Sequence, residues 1–229
     1  MTENPSYISS IPDHAREEDV TAKHGAGRGK VVKNYYLGRT YIGRRIYNQD
    51  GLLQHELSLK NGKRHGWQYD WYRDGTLSSA LHFENGIEHG TASVWRGSGA
   101  LLGTYMMNQG TGIDFWWKEH EGKVHLTEAR VYVDNKMEGY EYWWYSSDKT
   151  RGLWKEKWWM KGCLHGIERE WSQQGKLRRG FPNYWIRGTE VDKRKYDRAT
   201  RKDASLKPFV IEENKPYRIF PQEVAAKFL

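Results

Sequence analysis

A short phrase that ends in glycine recurs three times, and it constrains the fold of this chain more than any other feature. It reads NGKRHG at residues 61–66, followed by Trp67, ENGIEHG at residues 84–90 and MKGCLHG at residues 160–166. Its closing glycine belongs to a series with spacings of 23, 24, 22, 27 and 27 residues: Gly43, Gly66, Gly90, Gly112, Gly139 and Gly166. A period of about two dozen residues predicts a repeat architecture.

The residues after each closing glycine alternate between apolar and polar types. A tryptophan stands five positions after the glycine in five of the six repeats, and Asn48 takes this place in the first: Trp71, Trp95, Trp117, Trp144 and Trp171. The first and third positions also tend to be aromatic or branched, as at Trp67 and Tyr69. A period of two predicts a strand with one buried face.

Dipeptides typical of tight turns separate the strands of each repeat. Asp74-Gly75 and Gln174-Gly175 end nine residues after a closing glycine, and Asn61-Gly62 begins the next phrase. Such dipeptides supply the positive φ angles of hairpin turns. Each repeat is therefore predicted to be strand, turn, strand, turn, and the recurring phrase is the turn between one hairpin and the next.

These patterns predict an all-β fold, an elongated single antiparallel sheet of about six consecutive β-hairpins over residues 31–188. Stacked hairpins bury a continuous seam, and the 12 tryptophans, all between Trp67 and Trp185, would make this seam aromatic. Residues 1–30 are polar and predict a flexible leader. Residues 189–229 predict an irregular arm, first charged and then apolar, in which Pro221 begins a short helix.

The run NGKRHGWQYDWYRDGTL at residues 61–77 carries a resemblance to a known family. It is similar to the MORN-variant repeat of the bacterial antitoxin-component (YwqK-like) family, whose unit reads roughly NGKxHGxWxxYxxxGxL. The resemblance covers about residues 43–188. It implies a hairpin sheet and a non-enzymatic binding protein, such as an antitoxin or immunity partner of a toxin. Related MORN repeats also occur as scaffolds and membrane-associated modules.

Three tryptophans depart from the repeat pattern. Trp116 and Trp143 stand four positions after the closing glycine, on the strand face opposite Trp117 and Trp144, and Trp158 likewise stands next to a second tryptophan. The middle of the sheet is therefore predicted to be aromatic on both faces. Either a terminal segment covers the second face or this face binds a partner, since apolar patches rich in tryptophan mark interfaces.

The apolar end of the C-terminal arm has two similar alternatives. Phe209, Ile211, Tyr217 and Phe220 make it too apolar for a solvated tail. Either it packs back on its own sheet and caps the last repeat, as a single-layer repeat sheet needs, or it docks on another protein. Together with the three off-pattern tryptophans, these four residues are the predicted candidates for partner binding.

The single cysteine, Cys163, bears on the compartment. One cysteine cannot form an intrachain disulfide, so the cytoplasm or another reducing intracellular compartment is predicted. The N-terminus lacks the basic start and apolar run of a secretory signal. No stretch approaches the roughly 18 apolar residues of a transmembrane helix.

The residues predict no catalytic site, no metal site and no cofactor, and they indicate no small-molecule substrate. His65, His89 and His165 occupy equivalent turns about 10 Å apart, so they cannot converge on one zinc ion within about 2.1 Å. Cys163 lies close to His165 in the sequence. Its equivalents in other repeats are lysine and isoleucine, which argues against a nucleophile pair.

The sequence therefore predicts a non-enzymatic protein-binding module, by resemblance an antitoxin or immunity-type protein. The alternative is a structural or scaffold subunit of a larger assembly, held by its terminal arms. The net charge of +8 would also suit nucleic acid or a membrane surface. Both are weaker alternatives, because the lysines near the tryptophans alternate with glutamates and the basic residues form no continuous run.

Overall fold

The computed structural model describes residues 7–21, 29–146 and 152–228. The chain forms two units, Met1–Gly110 and Thr111–Leu229, and each is described by itself. Among the described residues, none of the helices has the length and apolar character that crossing a bilayer requires.

The first unit is a ladder of antiparallel strands that pair in chain order. Its strands are β1 (Arg16–Asp19), β2 (Val31–Leu37), β3 (Thr40–Tyr47), β4 (Leu53–Lys60), β5 (Lys63–Arg64), β6 (Gly66–Trp71), β7 (Leu77–Glu84), β8 (Ile87–Glu88), β9 (Gly90–Trp95) and β10 (Leu101–Asn108). The ladder runs from β1 through β2, β3, β4, β6, β7 and β9 to β10. The two-residue strands β5 and β8 lie in the recurring phrase and pair with β4 and β7.

The second unit continues the same pattern and adds short helices. Its elements are β11 (Thr111–His120), β12 (Lys123–Val133), β13 (Lys136–Trp144), β14 (Leu153–Met160), β15 (Cys163–Leu164), β16 (Ile167–Glu170), β17 (Asn183–Ile186), β18 (Thr189–Val191), α1 (Lys193–Thr200), a 3₁₀ helix (Ile211–Asn214) and α2 (Gln222–Ala225). Strand β11 pairs with β12, and the antiparallel ladder runs on through β13, β14, β16 and β17 to β18.

These ladders confirm the predicted all-β fold of consecutive antiparallel hairpins. The repeated tryptophans Trp95, Trp117, Trp144 and Trp171 are buried, as their spacing predicts. The predicted short C-terminal helix is present as α2. The predicted boundary of the repeats at residue 188 falls inside the β17–β18 hairpin, because that hairpin continues the ladder to Val191.

The histidine of the recurring phrase joins each turn to the turn of the next hairpin. The Nδ1 atoms of His65, His89 and His165 each accept a hydrogen bond from a backbone N–H 20 to 22 residues further on, at distances of 3.0–3.4 Å. Thr111 and Glu138 hold the same position in other repeats and accept the equivalent bond at 3.1 and 2.7 Å. The residue before the closing glycine therefore needs only a side-chain hydrogen-bond acceptor, and histidine, threonine and glutamate each supply one.

The donors of these five bonds share a strained backbone conformation. They are the residues that open the following turns, with φ between 48° and 52°: Asn85, Gln109, Asp134, Lys161 and Arg187. Non-glycine residues adopt such angles at a cost. An acceptor on the preceding turn offsets this cost, which explains why the phrase recurs at a fixed place.

Replacing His89 tests this role. We expect His89→Leu to lower the free energy of unfolding by about 1 kcal/mol, because the N–H of Gln109 loses its acceptor. We expect His89→Thr, which copies Thr111, to cost less than half as much. Urea unfolding followed by far-ultraviolet circular dichroism measures both, and equal losses for the two variants would contradict the acceptor role.

The prediction of a flexible leader over residues 1–30 is wrong for residues 7–21. This segment contributes strand β1 and buries Ile11 and Val20. Ile11 passes over Gly43, where a Cβ atom would come within 2.8 Å of its Cδ1 atom. Two apolar anchors in a polar stretch thus help to hold it on the sheet. Residues 1–6 and 22–28 lie outside the described residues.

A buried carboxylate, Glu56 in β4, fastens this N-terminal segment. Ser9 Oγ donates to it at 2.8 Å, the Tyr7 hydroxyl donates to it as well, and Arg45 Nε forms an ion pair with it at 2.6 Å. Burial and the bond to Glu56 raise the pKa of Tyr7 to about 12, so the hydroxyl stays protonated and donates at neutral pH.

Glu156 in β14 fastens the C-terminal arm in the same way. Arg218 of the arm donates from Nε and Nη2 to the two carboxylate oxygens at 2.8 and 2.6 Å. Arg169 Nη1 donates to Glu156 at 2.9 Å. Glu56 and Glu156 each lie five residues before the next turn, so each unit holds one terminal segment at an equivalent place in its ladder.

The C-terminal arm packs on its own unit, which was one of the two alternatives. The Phe220 ring lies 5.1 Å from Tyr142 and 5.4 Å from Trp144, and the Phe209 ring lies 6.2 Å from Tyr184. We call the face of β11–β14 that carries Tyr142 and Trp144 the arm face. The opposite face of these strands is the open face.

Candidate partner-binding site

A cavity of about 590 Å³ lies on the open face of the second unit. Its walls are mainly aromatic, and a few charged and hydroxyl groups border them. It is lined by Trp116, Trp117, Lys118, Thr127, Glu128, Arg130, Trp143, Trp144, Tyr145, Ser146, Trp154 and Arg178. We call this the tryptophan cavity.

Strand register places the two off-pattern tryptophans on either side of one glutamate. Trp116 in β11 lies opposite Glu128 in β12, and Glu128 lies opposite Trp143 in β13. The row continues from Trp143 to Lys155 in β14. Residues directly opposite one another on neighbouring strands share a sheet face, so Trp116 and Trp143 form the two aromatic walls about this row.

A β-bulge follows each of these tryptophans. The register shifts between Trp116 and Trp117 and again between Trp143 and Trp144. Bulges redirect side chains and increase the local twist. Here the extra residue of each bulge, Thr127 in β12 and Trp154 in β14, lines the cavity.

Trp154 and Tyr145 complete the aromatic lining. The ring of Trp154 lies 5.9 Å from Trp143 at an interplanar angle of 85°, and 6.2 Å from Tyr145 at 41°. The Tyr145 hydroxyl donates to the carbonyl oxygen of Trp171 at 2.6 Å. That bond fixes the Tyr145 ring, so the wall is positioned before any partner arrives.

A second row of residues on the open face carries alternating charges. Asp114, Arg130, Glu141 and Lys157 lie opposite one another across four strands. Arg130 approaches both Asp114 and Glu141 to 3.9 Å, and Lys157 approaches Glu141 to 3.3 Å. Because acids match bases here, the open face beside the cavity is close to neutral and is not a basic groove.

Arg130 also forms an ion pair with Glu128 at the floor of the cavity. Burial raises the pKa of Glu128, and the hydrogen bond from Arg130 opposes this rise. Arg130 lies 5.9 Å from the ring of Trp143, within cation–π distance. The floor of the cavity is thus a paired charge next to an indole ring, which favours a neutral or apolar group above it.

The indole N–H of Trp143 has no hydrogen-bond acceptor among the described residues, although it is buried. Trp159 and Trp185, elsewhere on the second unit, donate their N–H groups to Glu141 and Glu168 at 3.0 and 3.1 Å. Leaving a buried donor unpaired costs free energy. An acceptor at this wall would remove that cost.

The other predicted site residues do not join the cavity. Trp158 lies on the arm face, with its ring 4.6 Å from Tyr140 and the Lys207 Nζ atom 4.1 Å above it. Phe209 and Phe220 pack into the arm face as described above. Ile211 and Tyr217 are exposed, at 61% and 82%. The described arm therefore covers the face opposite Trp116 and Trp143.

Reasoning from the sequence did not find Trp154, Tyr145, Arg130 or Arg178. Trp154 follows a connection, residues 145–152, that is longer than the five residues 72–76 and 96–100 between strands of the first unit, so its register could not be counted from the repeat. Arg130 is four residues before the Asp134-Asn135 turn, and only its register opposite Asp114 shows that it shares a face with Trp143. The spacing of aromatic residues in the sequence therefore predicts neither Trp154 nor Arg130 as a cavity residue.

His165 lies in a cluster that resembles hydrolytic chemistry in composition but not in geometry. Its Nε2 atom lies 3.0 Å from Ser205 Oγ and 3.7 Å from Asp203. Its Nδ1 atom accepts the N–H of Arg187, so Nε2 carries the proton and donates to Ser205. A ring that donates to the serine cannot act as its base. Both ring nitrogens are engaged, which leaves none for the exposed Cys163.

The burial of His165 predicts a pH dependence of stability. Burial lowers the pKa of His165 below its ordinary value of 6.5, against an opposing effect of Asp203. The unfolded chain then binds more protons, so this contribution is complete above about pH 6.5 and is lost as pH falls through the folded pKa. We expect the free energy of unfolding of the wild type to fall more between about pH 7.5 and about pH 5.5 than that of His165→Gln. Urea titrations at both pH values measure this, and parallel falls would contradict it.

Within residues 7–21, 29–146 and 152–228, no three His, Cys, Asp or Glu side chains are grouped so as to hold a metal ion. Comparisons with protein-family models, with curated proteins and with solved structures return no match to this chain.

Proposed function

We propose that this chain is a non-enzymatic protein-binding module and that the tryptophan cavity is its docking site. The observation that carries the proposal is the row in which Trp116 and Trp143 flank Glu128 on a face that the described arm leaves uncovered. Tryptophan is enriched at the energetic centres of interfaces, where it fills or lines desolvated pockets. By its resemblance to antitoxin-component repeats, the module is an antitoxin or immunity-type protein that covers its partner.

The lining of the cavity specifies what the partner presents. Aromatic walls above a paired Arg130 and Glu128 suit an apolar or aromatic side chain. A backbone carbonyl beside that side chain would accept the N–H of Trp143. Lys118 at the rim is exposed and forms no ion pair with another described residue, so it suits a carboxylate. We therefore expect the partner segment to combine an apolar anchor with a neighbouring acidic residue.

A second candidate function is that of a structural subunit held in an assembly through its arm. The observation that favours it is the exposure of Tyr217 and Ile219, at 82% and 102%, although both lie in a packed arm. Exposed apolar side chains on a fixed backbone can mark a surface that binds another protein. The two functions use opposite faces of the second unit, so paired variants separate them.

The test is affinity capture from native lysate with two matched double variants of the full chain. Trp116→Ala/Trp143→Ala alters the cavity, and Tyr217→Ala/Ile219→Ala alters the arm. We expect the cavity variant to weaken binding of a captured partner about 30-fold or more, since interface centres contribute about 2 kcal/mol or more each. We expect the arm variant to bind as the wild type does.

The controls are near-ultraviolet circular dichroism and urea unfolding of both variants, which establish that the second unit is folded. Loss of several subunits in the arm variant alone would favour the structural-subunit function. Equal binding of wild type and cavity variant would overturn the proposed docking site.

A further inference from the structure

Helix α1 is mounted rigidly on the second unit. Its N-cap is Asp192, whose side chain accepts from the backbone N–H of Lys195 at 2.8 Å. Tyr196 on its inner side is fully buried, with its ring 5.1 Å from Tyr184 and its hydroxyl donating to the carbonyl oxygen of Lys207 at 2.8 Å. The outer side of the helix is therefore held in one orientation.

Five cations lie on α1 or directly after it: Arg194, Lys195 and Arg198 on the helix, Arg201 at its C-cap and Lys202 in the turn that follows. Arg194 and Arg198 are four residues apart on one side of the helix, and the αR backbone of the C-cap continues this side to Arg201. All five are exposed, and none forms an ion pair with another described residue. The remaining basic residue of the helix, Lys193, is paired with Asp197 at 2.6 Å. We call these five residues the basic face of α1.

The basic face is unlike the open face of the sheet. Beside the tryptophan cavity, Asp114 and Glu141 neutralise Arg130 and Lys157. At α1, the neighbouring acids pair elsewhere, Asp197 with Lys193 and Asp203 with Arg187, and not with the five cations. Lys195, Arg198, Arg201 and Lys202 also line a shallow depression of about 480 Å³ together with Ala199. An unneutralised and preformed row of cations attracts a polyanion.

We propose that the basic face of α1 binds the phosphate backbone of a nucleic-acid duplex without reading its sequence. Three of the five cations are arginines, whose planar forks suit phosphate oxygens. A lipid surface fits less well, because a helix that lies in a membrane interface buries an apolar side, and the apolar side of α1 is already buried on Tyr184. No exposed aromatic or amide side chain on α1 is placed to contact base edges.

The experiment is fluorescence anisotropy of the full chain with a labelled DNA duplex of about 20 base pairs over a range of salt concentrations. The helix variant is Arg194→Gln/Arg198→Gln/Arg201→Gln. The matched control is Lys60→Gln/Lys63→Gln/Lys136→Gln, which removes three exposed cations elsewhere. Both variants lower the net charge from +8 by three, to +5, so total charge is held equal.

We expect the wild type to bind with a slope of log K against log salt near −4.5, which corresponds to about five phosphate contacts. The helix variant should bind about tenfold or more weakly in low salt, with a slope smaller in magnitude by about 3. The control should lose less than about threefold. Circular dichroism checks that the helix variant is folded.

Three results would overturn the proposal. One is the absence of duplex binding by the wild type in low salt. Another is an equal loss in both variants, which would assign binding to overall charge. The third is stronger binding to vesicles that contain phosphatidylserine than to the duplex, with the same dependence on the three arginines, which would assign the basic face to a lipid surface.

Discussion

Glu156→Ala is expected to destabilise the second unit by about 3–5 kcal/mol. The side chains of Glu156 and Arg169 are 0% and 2% exposed, and that of Arg218 is 11% exposed. Removing the carboxylate takes away the ion-pair partner of the largely buried Arg218 and leaves Arg169 next to it with Glu213 as its remaining carboxylate. The midpoint of thermal unfolding should fall by about 10 °C or more.

The matched control for this variant is Glu212→Ala, an exposed acid on the same arm. Surface changes of this kind usually alter the free energy of unfolding by less than about 0.5 kcal/mol. Thermal and urea unfolding followed by circular dichroism compare the two variants. An exposed ion pair contributes up to about 1 kcal/mol. If the free energies of unfolding of Glu156→Ala and the control differed by less than this, Glu156 would not be what holds the arm on the sheet.

Trp171→Ala is expected to cost a similar amount, about 3–5 kcal/mol. Trp171 is fully buried, its Nε1 atom donates to the carbonyl oxygen of Asn214 at 2.6 Å, and Arg218 lies 5.3 Å above its ring. The change removes a large side chain and also one bond between the last repeat and the arm. We therefore expect the arm to become sensitive to protease as stability falls.

Trp171→Phe separates the two parts of this effect. It keeps most of the ring volume but loses the N–H that Asn214 accepts, so a loss of about 1–2 kcal/mol is expected. Urea unfolding gives the free energies, and limited proteolysis with mass spectrometry locates the first cut. Equal stability of the alanine variant and the wild type, or a first cut in β11–β14 instead of the arm, would contradict this account.

The arrangement of hairpins could be predicted from the sequence because it depends on local geometry. The turn dipeptides, the alternating apolar positions and the glycine period each specify a strand or a turn without knowledge of distant residues. The recurring histidine was correctly assigned to the turn. Its partner, a backbone N–H on the next turn, could not be predicted, because the two residues meet only after two hairpins have stacked.

The candidate site was predictable only in part. Trp116 and Trp143 stood out because each breaks the repeat pattern next to a tryptophan that keeps it. Trp158 stood out in the same way, yet register places it opposite Tyr140 on the arm face. Side chains alternate along β14, so its register against β13 places Trp159 beside Glu141 on the open face and Trp158 on the arm face.

The terminal segments could not be placed from composition alone. Residues 7–21 are mostly polar, and their attachment depends on Ile11, Val20 and one buried carboxylate, Glu56. A glutamate inside a strand is normally read as solvent-facing. Only the structure shows that Glu56 and Glu156 are buried acceptors for groups that arrive from the chain ends.

The measurement that tests the central claim most directly is oxidative footprinting of the full chain, free and in the complex captured from native lysate. Mass spectrometry would report the oxidation of each tryptophan. The proposed docking site predicts that Trp116, Trp143 and Trp154 become protected in the complex, while the half-buried Trp67 and Trp71 of the first unit are unchanged. Unchanged oxidation of the three cavity tryptophans in a stable complex would contradict the proposed docking site.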